Sequence, residues 1–473
     1  MDRYQKLAQN TLIFTIGTFS SKLLVFFLVP IYTNAMTSTE FSIGDTLIQT
    51  ANLLIPFVTL GISNSIIRFG MDRRHRQSDV FSTGIYSLLL GTIVLTIIMP
   101  FLSKIDFISG YSVLLFTFII LSSFKLLCNQ FTRANGNLKL FALDGVLSTL
   151  FTLLFTILFL VVFHLGVGGY LLATICSDLI TSIILIVAGK LWRYTKFSRI
   201  RSTTASAMIR YAIPMIPTTV SWWIINVSDR YLVRAMISDQ VNGLYSVAYK
   251  VPSIVVLISG IFMDAWQVSA FETTSPLERQ RFFSKVCNAY QTIVFLASSV
   301  LILSSKLLTQ ILVADSYYTS WKYVPLLILA TTFSCFVSFL GSIYMAEKKS
   351  GMIFFTTVIG AVLNIVLNIL LIPPFGANGA AFATFFSYFA IFLIRAIHSQ
   401  SMIPIRWNIP LFTANLTLLF IQCYLMVQEP KHWIWMQLGI FLLMTLLNLR
   451  QIMQNLQKFL SFLQKKKKRV SHS

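Results

Sequence analysis

Apolar runs of about twenty residues recur along the whole chain, separated by short polar connections. A helix rises about 1.5 Å per residue and the hydrocarbon core of a bilayer is about 30 Å thick, so each run has the length of one membrane crossing. Fourteen segments have this character. The first six are Thr11–Tyr32, Phe41–Ile62, Val80–Phe101, Tyr111–Phe131, Phe141–Val162 and Val167–Ala188. Tyr211–Tyr231, Gly243–Met263, Val286–Ser305, Val324–Met345, Met352–Ile372 and Asn378–Ile394 form a second group of six, and Ile409–Met426 and Trp433–Leu449 follow. The connections leave no room for a soluble domain. The pattern predicts an all-α, polytopic membrane protein of about 14 transmembrane helices.

The two groups of six resemble one another. Ala35-Met36-Thr37-Ser38 after the first span matches Ala235-Met236-Ile237-Ser238 after the seventh. Phe81-Ser82 before the third matches Phe283-Ser284 before the ninth. Gly166-x-x-Gly169-x-x-x-Ala173-Thr174 at the sixth matches Gly376-x-x-Gly379-x-x-x-Ala383-Thr384 at the twelfth. The matches keep their order with a slowly growing offset, as an ancient duplication would leave them. A repeat of six crossings preserves orientation, so the halves are expected to be parallel repeats with substrate bound between them. The expected organisation is a six-helix lobe at residues 1–200, a second at 201–398, and helices 13 and 14 with a cytoplasmic tail at 399–473. In that tail Ile452, Leu456, Phe459, Leu460 and Leu463 share one helical stripe. Lys465 to Arg469 follow it, which reads as an interfacial helix with a basic end.

Composition agrees with lipid as the main solvent. The chain is 56% hydrophobic and 11% charged, against about 25% charged in a soluble domain. Its net charge of +21 could suggest nucleic acid, but the basic residues cluster at the ends of apolar runs, so no nucleic-acid partner is expected. Placing the N-terminus inside puts 29 lysines and arginines on the inner side and 6 on the outer, with Lys22 and Lys250 inside spans, out of 37. Cytoplasmic loops of membrane proteins carry this excess, so both termini are expected in the cytoplasm. The five cysteines lie in or beside apolar runs without a paired motif, which fits small buried side chains better than disulfides or a metal site. Met1 to Gln9 is short and polar, and no cleavable signal peptide is expected.

At this point the sequence resembles a known family. The resemblance rests on Ile66-Ile67-Arg68-Phe69-Gly70, Val80-Phe81-Ser82-Thr83-Gly84, Ser228-Asp229-Arg230-Tyr231-Leu232 and Gly243-Leu244-Tyr245-Ser246-Val247-Ala248-Tyr249-Lys250. It also rests on Asn364-Ile365-Val366-Leu367-Asn368 and Gly376-Ala377-Asn378-Gly379. In this order they resemble the polysaccharide transporters of the multidrug/oligosaccharidyl-lipid/polysaccharide exporter superfamily, which include O-antigen and capsule repeat-unit flippases. The resemblance implies outward movement of undecaprenyl-diphosphate-linked oligosaccharides across a bacterial cytoplasmic membrane. It implies membrane lipids as surroundings, and a polysaccharide polymerase and glycosyltransferases as partners.

No enzyme constellation is visible: there is no nucleophile–histidine–acid setting, no metal-spaced histidine cluster and no phosphate-binding loop. No cofactor is expected, and energy would come from an ion or substrate gradient or the membrane potential. Charges inside spans are therefore the informative positions, since each costs about 2.5–3.5 kcal/mol or more at mid-membrane unless it faces protein or water. Lys22 and Lys250, with Arg210 and Arg230 at the two ends of the seventh segment, are expected to form a cationic cavity for a diphosphate head group. Asp178, central in the sixth span, could carry a coupling ion or pair with Lys22. Asp144 and Asp264 lie near cytoplasmic span ends, where an interfacial position suffices. Pro214 and Pro217 break the helical ladder of the seventh segment, and Gly17 holds the position of Pro217 in the first repeat, so these three mark an expected gate. Trp222 and Trp223 suit either sugar stacking or lipid contact. A competing reading is an ion-coupled multidrug antiporter on the same fold, but a pocket for organic cations should be acidic. A non-transporting scaffold would gain nothing from buried charges and paired helix breaks.

Overall fold

The computed structural model describes residues 26–72, 74–196, 201–270, 276–347 and 349–470. Lys22 and Gly17 lie outside the described residues, as does most of the first predicted span. Every described element is helical, as lipid demands: with no water in the hydrocarbon, backbone polar groups must pair within the segment.

The chain forms two compact units. Unit 1 comprises Met1–Val247 with Leu312–Tyr317. It contains α1 (Phe26–Ala35), α2 (Ser38–Val58), α3 (Ile62–Met71), α4 (Gln77–Leu102), α5 (Asp106–Ser109), α6 (Ser112–Ala134), α7 (Leu138–Thr156), α8 (Gly166–Gly189), α9 (Ser202–Ala212), α10 (Ile216–Met236) and most of α11 (Asp239–Ala248). A π-helical turn, Ile157–Val162, extends α7. α2 opens with a capping box: Thr37 Oγ1 accepts from the Glu40 N–H, and Glu40 Oε2 accepts from the Thr37 N–H at 2.8 Å. Tyr32, Phe41, Tyr170 and Tyr317 pack as an aromatic cluster beside this cap, and the Tyr317 hydroxyl donates to the Met36 carbonyl at 2.9 Å.

Unit 2 comprises Ala248–Ile311 and Tyr318–Ser473. It contains α12 (Ser253–Ala270), α13 (Pro276–Leu303), most of α14 (Ser305–Leu312), α15 (Val324–Ala346), α16 (Ser350–Phe375), α17 (Ala377–Ser399), α18 (Ile409–Gln428) and α19 (Trp433–Val470). α15 is its core: 89% of that span is buried, and α12, α13, α16, α17 and α18 pack around it. Phe333, Phe336, Phe392 and Phe412 fill the space between α15, α17 and α18.

Twelve described helices are long and apolar enough to cross a membrane. Each coincides with one of the fourteen predicted segments. The first predicted segment is represented by α1 alone, and the seventh is helical but fails the apolar test. Outward faces identify the lipid side. α4 exposes Leu89, Leu90, Ile93, Val94, Ile97 and Phe101, and α16 exposes Val362, Val366, Ile369 and Leu370. Such stripes would be an aggregation hazard in water and are natural against acyl chains.

The units do not part at residue 200, where the expected first lobe ends. α9 packs on α3 and α4, and α10 on α2, so both fold with unit 1. The proposed repeat nevertheless has a local structural counterpart. Gly166 and Gly376 stand at matched helix starts with φ of +52° and +58°. Glycine alone takes this region without strain. Three residues on, a Cβ on Gly169 or Gly379 would meet the carbonyl of the preceding helical segment, Phe159 O or Leu371 O.

Candidate functional site

The seventh segment is the polar one. It begins as α9, tightens to a 3₁₀ turn at Ile213–Met215, and resumes as α10. Pro214 lies in that turn and Pro217 is the second residue of α10, so the missing proline N–H groups fall where the ladder is already broken. Gly61, at φ +65° before α3, sits against this break, and a Cβ there would lie 2.8 Å from the Ala212 carbonyl. The break is built into the packing of its neighbour.

Ser202, Thr203, Ser206, Arg210, Thr219 and Asn226 are exposed along this segment. A lipid-facing helix shows the opposite pattern, as α4 does. The outward face of α9 and α10 therefore suits water or a polar ligand. Ser202, Thr203, Ser206, Ala207 and Arg210 line an open cavity of about 540 Å³. Arg68, on the packed neighbour α3, is also exposed, and its guanidinium stacks on Tyr211 at 4.4 Å. Arg210 and three hydroxyls on one polar face can accept an anion: guanidinium offers a donor fork matched to phosphate, and hydroxyls add neutral donors. Arg68 was legible in the sequence as part of Ile66-Ile67-Arg68-Phe69-Gly70, but not as a site residue, because its companion lies 142 positions away.

The other predicted site residues fall elsewhere. Arg230 is 9% exposed, and its Nη1 donates to Asp45 Oδ2 at 2.7 Å. Tyr231 shares a 2.7 Å hydrogen bond with Thr50 and donates to the Thr46 carbonyl, and Trp223 Nε1 donates to the Gln49 carbonyl. Arg230 thus clamps α10 to α2 rather than presenting its charge on a cavity wall. Trp223 is tied to α2 by its indole N–H rather than set out for sugar stacking. Asp229 is fully buried and accepts from the Tyr245 hydroxyl at 2.9 Å.

Asp178 is ion-paired to Lys125 of α6, at 3.0 Å, with Ser122 donating to its other oxygen, while its expected partner Lys22 lies outside the described residues. Lys125 is one of the 29 basic residues assigned to the inner side by the charge count, and it stands inside α6. Arg395, also in that count, is fully buried in α17. It donates to Thr356 Oγ1, Thr357 Oγ1 and the Val337 and Ile353 carbonyls. Removing these two and the buried Arg230 from the counts leaves the inner excess standing. Lys250 is half-buried in unit 2, in the turn at 249–252 that separates α11 from α12, where Pro252 breaks the eighth segment. Pro252 was the available signal for that second break. Among the described residues no cluster of three or more metal-ligating side chains occurs.

If bending at the break matters, replacing Pro214 and Pro217 together with alanine is expected to slow transport about tenfold, a rise of about 1.4 kcal/mol in the barrier. Stability should stay within about 1 kcal/mol of wild type, because alanine restores the ladder. Transport rates in vesicles and melting in detergent check both halves. An unchanged rate returns the prolines to a static kink.

The same fold is found in solved structures. The chain aligns over 94% of its length with 99% of the lipid II flippase MurJ in its inward closed conformation, with a TM-score of 0.69 and 15% identity. It aligns over 82% of its length with 95% of an inward-facing multidrug resistance MATE family transporter of the MOP superfamily, with a TM-score of 0.60 and 13% identity. In sequence it is 23% identical over 254 residues to the probable low-salt glycan biosynthesis flippase Agl15 of Haloferax volcanii, matching 51% of this chain and 53% of that protein. The chain thus spans about half the length of that relative. It is 22% identical over 380 residues to an uncharacterized membrane protein of Methanocaldococcus jannaschii, matching 75% of this chain and 88% of that one. Residues 7–268, more than half of the chain and including the broken seventh segment, match the polysaccharide biosynthesis protein family. By that match over more than half of its length, the chain belongs to the polysaccharide biosynthesis protein family.

Proposed function

We propose that the chain is a flippase that exports undecaprenyl-diphosphate-linked oligosaccharide repeat units across the bacterial cytoplasmic membrane by alternating access, for cell-surface polysaccharide synthesis. The observation that supports it best is the polar outward face of α9 and α10, with Arg210 in a hydroxyl-lined cavity and a second exposed arginine, Arg68, on the helix packed against α9. A diphosphate cannot cross hydrocarbon bare. Fixed cations along a wet surface offset part of that cost by Coulomb attraction, and the lipid tail stays in the bilayer. Lys22 and Lys250, the two lysines that the sequence puts inside spans, are further candidate cations for the head group in this reading. The Pro214–Pro217 break and its counterpart at Gly17 supply the bend. The glycosyltransferases that build the repeat unit and the polymerase that consumes it are the matching partners.

The test is reconstitution. Vesicles carrying the purified protein and a lipid-linked oligosaccharide are probed with a glycosidase that cannot cross the membrane. The expected result is that glycan protected in protein-free vesicles becomes accessible. Accumulation of organic cations under an ion gradient, with no movement of the lipid-linked glycan, would select the multidrug antiporter instead.

Orientation gives a separate check. Single cysteines near Lys104 and Lys431 should react with an impermeant thiol reagent from outside, and cysteines at both termini should not. An externally labelled C-terminus refutes the topology.

A further inference from the structure

Asp144 sits in α7 at 3% exposure. Asn129 Nδ2 donates to its Oδ2 at 2.6 Å, while its Oδ1 is buried without a hydrogen-bond donor. Among the described residues it makes no ion pair. Among the described residues, the other charges that act on it come from the two helices packed on α7: Lys125 on α6 and Asp178 on α8. Cys128 of α6 is a further titratable neighbour among the described residues, and it is buried. Lys125 is already committed, to Asp178 at 3.0 Å and to Ser148 of α7. Ser177 of α8 closes the cluster by donating to the Ser148 carbonyl at 2.8 Å. With all three groups ionised, two carboxylates share one ammonium, and one carboxylate oxygen has nothing to accept from.

We propose that Asp144 is a proton-binding site, and that the Lys125–Asp178 pair sets when the proton leaves. A buried carboxylate with one donor is far costlier than the neutral acid, whereas burying the acid's hydroxyl costs only a few kcal/mol. The resting state is therefore Asp144 protonated on Oδ1, with Lys125 on Asp178. The ammonium has three donors, and the pair and Ser148 take two. Loss of the Asp144 proton to water creates a second anion beside Lys125, and the third donor can turn to it. Lys125 then ties α6 to α7 as well as to α8. Proton release is thus converted into a change in how three membrane helices of one unit are held together. A flippase without a nucleotide site needs such a device to draw on a proton gradient; that link to transport rests on the function proposed above, and the proton site itself does not.

Infrared difference spectroscopy of the protein in vesicles without substrate, with pH as the variable, tests the site directly. The expected result is a carbonyl band of a protonated carboxyl at neutral pH that shifts in heavy water and disappears in Asp144→Asn. In Asp144→Glu the band should persist with an altered pH midpoint, which keeps the test decisive if the asparagine variant folds poorly. In Lys125→Arg the midpoint should move while the band remains. Absence of any protonated-carboxyl band dependent on residue 144 between about pH 5 and 9, the range reached by buried carboxyls, overturns the proposal. In flipping assays, an imposed proton gradient should accelerate the wild type several-fold and leave Asp144→Asn unaffected. Equal acceleration of both overturns the coupling role. A wild type that moves no lipid-linked glycan defeats the flippase reading, while the infrared result still decides the proton site.

Discussion

Replacing Arg230 with alanine is expected to destabilise the folded protein by about 3–5 kcal/mol, the usual result of removing one partner from a buried ion pair. Asp45 is 3% exposed and lies 2.7 Å from the Arg230 guanidinium. With the guanidinium gone, its carboxylate stays buried without its ionic partner. The same helices also lose the clamp that holds α10 against α2. Asp45→Ala should cost a similar amount, because it strands the guanidinium. The double variant Asp45→Leu/Arg230→Met should recover much of the loss, since two well-packed apolar side chains replace a pair whose desolvation cost nearly offsets its attraction. Unfolding in detergent with a double-mutant cycle measures the coupling. Additive single and double effects would show that the pair is not the clamp.

Replacing Arg68 and Arg210 with alanine is expected to weaken lipid-linked substrate about tenfold for each residue, or about 1.4 kcal/mol, and about a hundredfold together if the two act independently. Both side chains are exposed, so folding should change little. Arg68 would lose its stacking on Tyr211, worth about 0.5–1 kcal/mol at an exposed site. Lysine at either position should retain part of the effect through charge and lose the share that depends on the guanidinium fork. The readout is the substrate concentration giving half-maximal flipping, beside melting curves. If the double variant flips with the wild-type concentration dependence, this face does not hold the head group.

The same residues mark the limit of what the sequence determined. Hydropathy alone placed all twelve apolar spans, because a crossing helix must satisfy its own backbone and present lipid with apolar side chains over a fixed length. That information is local. It also flagged the broken seventh segment, since Pro214 and Pro217 act within a single turn. The glycine pattern at 166–174 and 376–384 located two helix starts with matching backbone geometry. What stayed hidden were pairings between distant positions. Arg230 looked like a cavity cation because its partner, Asp45, lies 185 residues earlier. Lys125 and Arg395 counted only as inner-side charges. The structure extends α17 past its run and buries Arg395, and it half-buries Lys125 within α6 against Asp178 of α8. Asp178 finds a partner in Lys125, 53 positions away, a pairing that only helix packing reveals. The sequence settled which segments enter the membrane, because lipid reads each helix by itself. Tertiary structure settled which charges face one another and which face water, because a buried charge is tolerated only where another helix brings its partner.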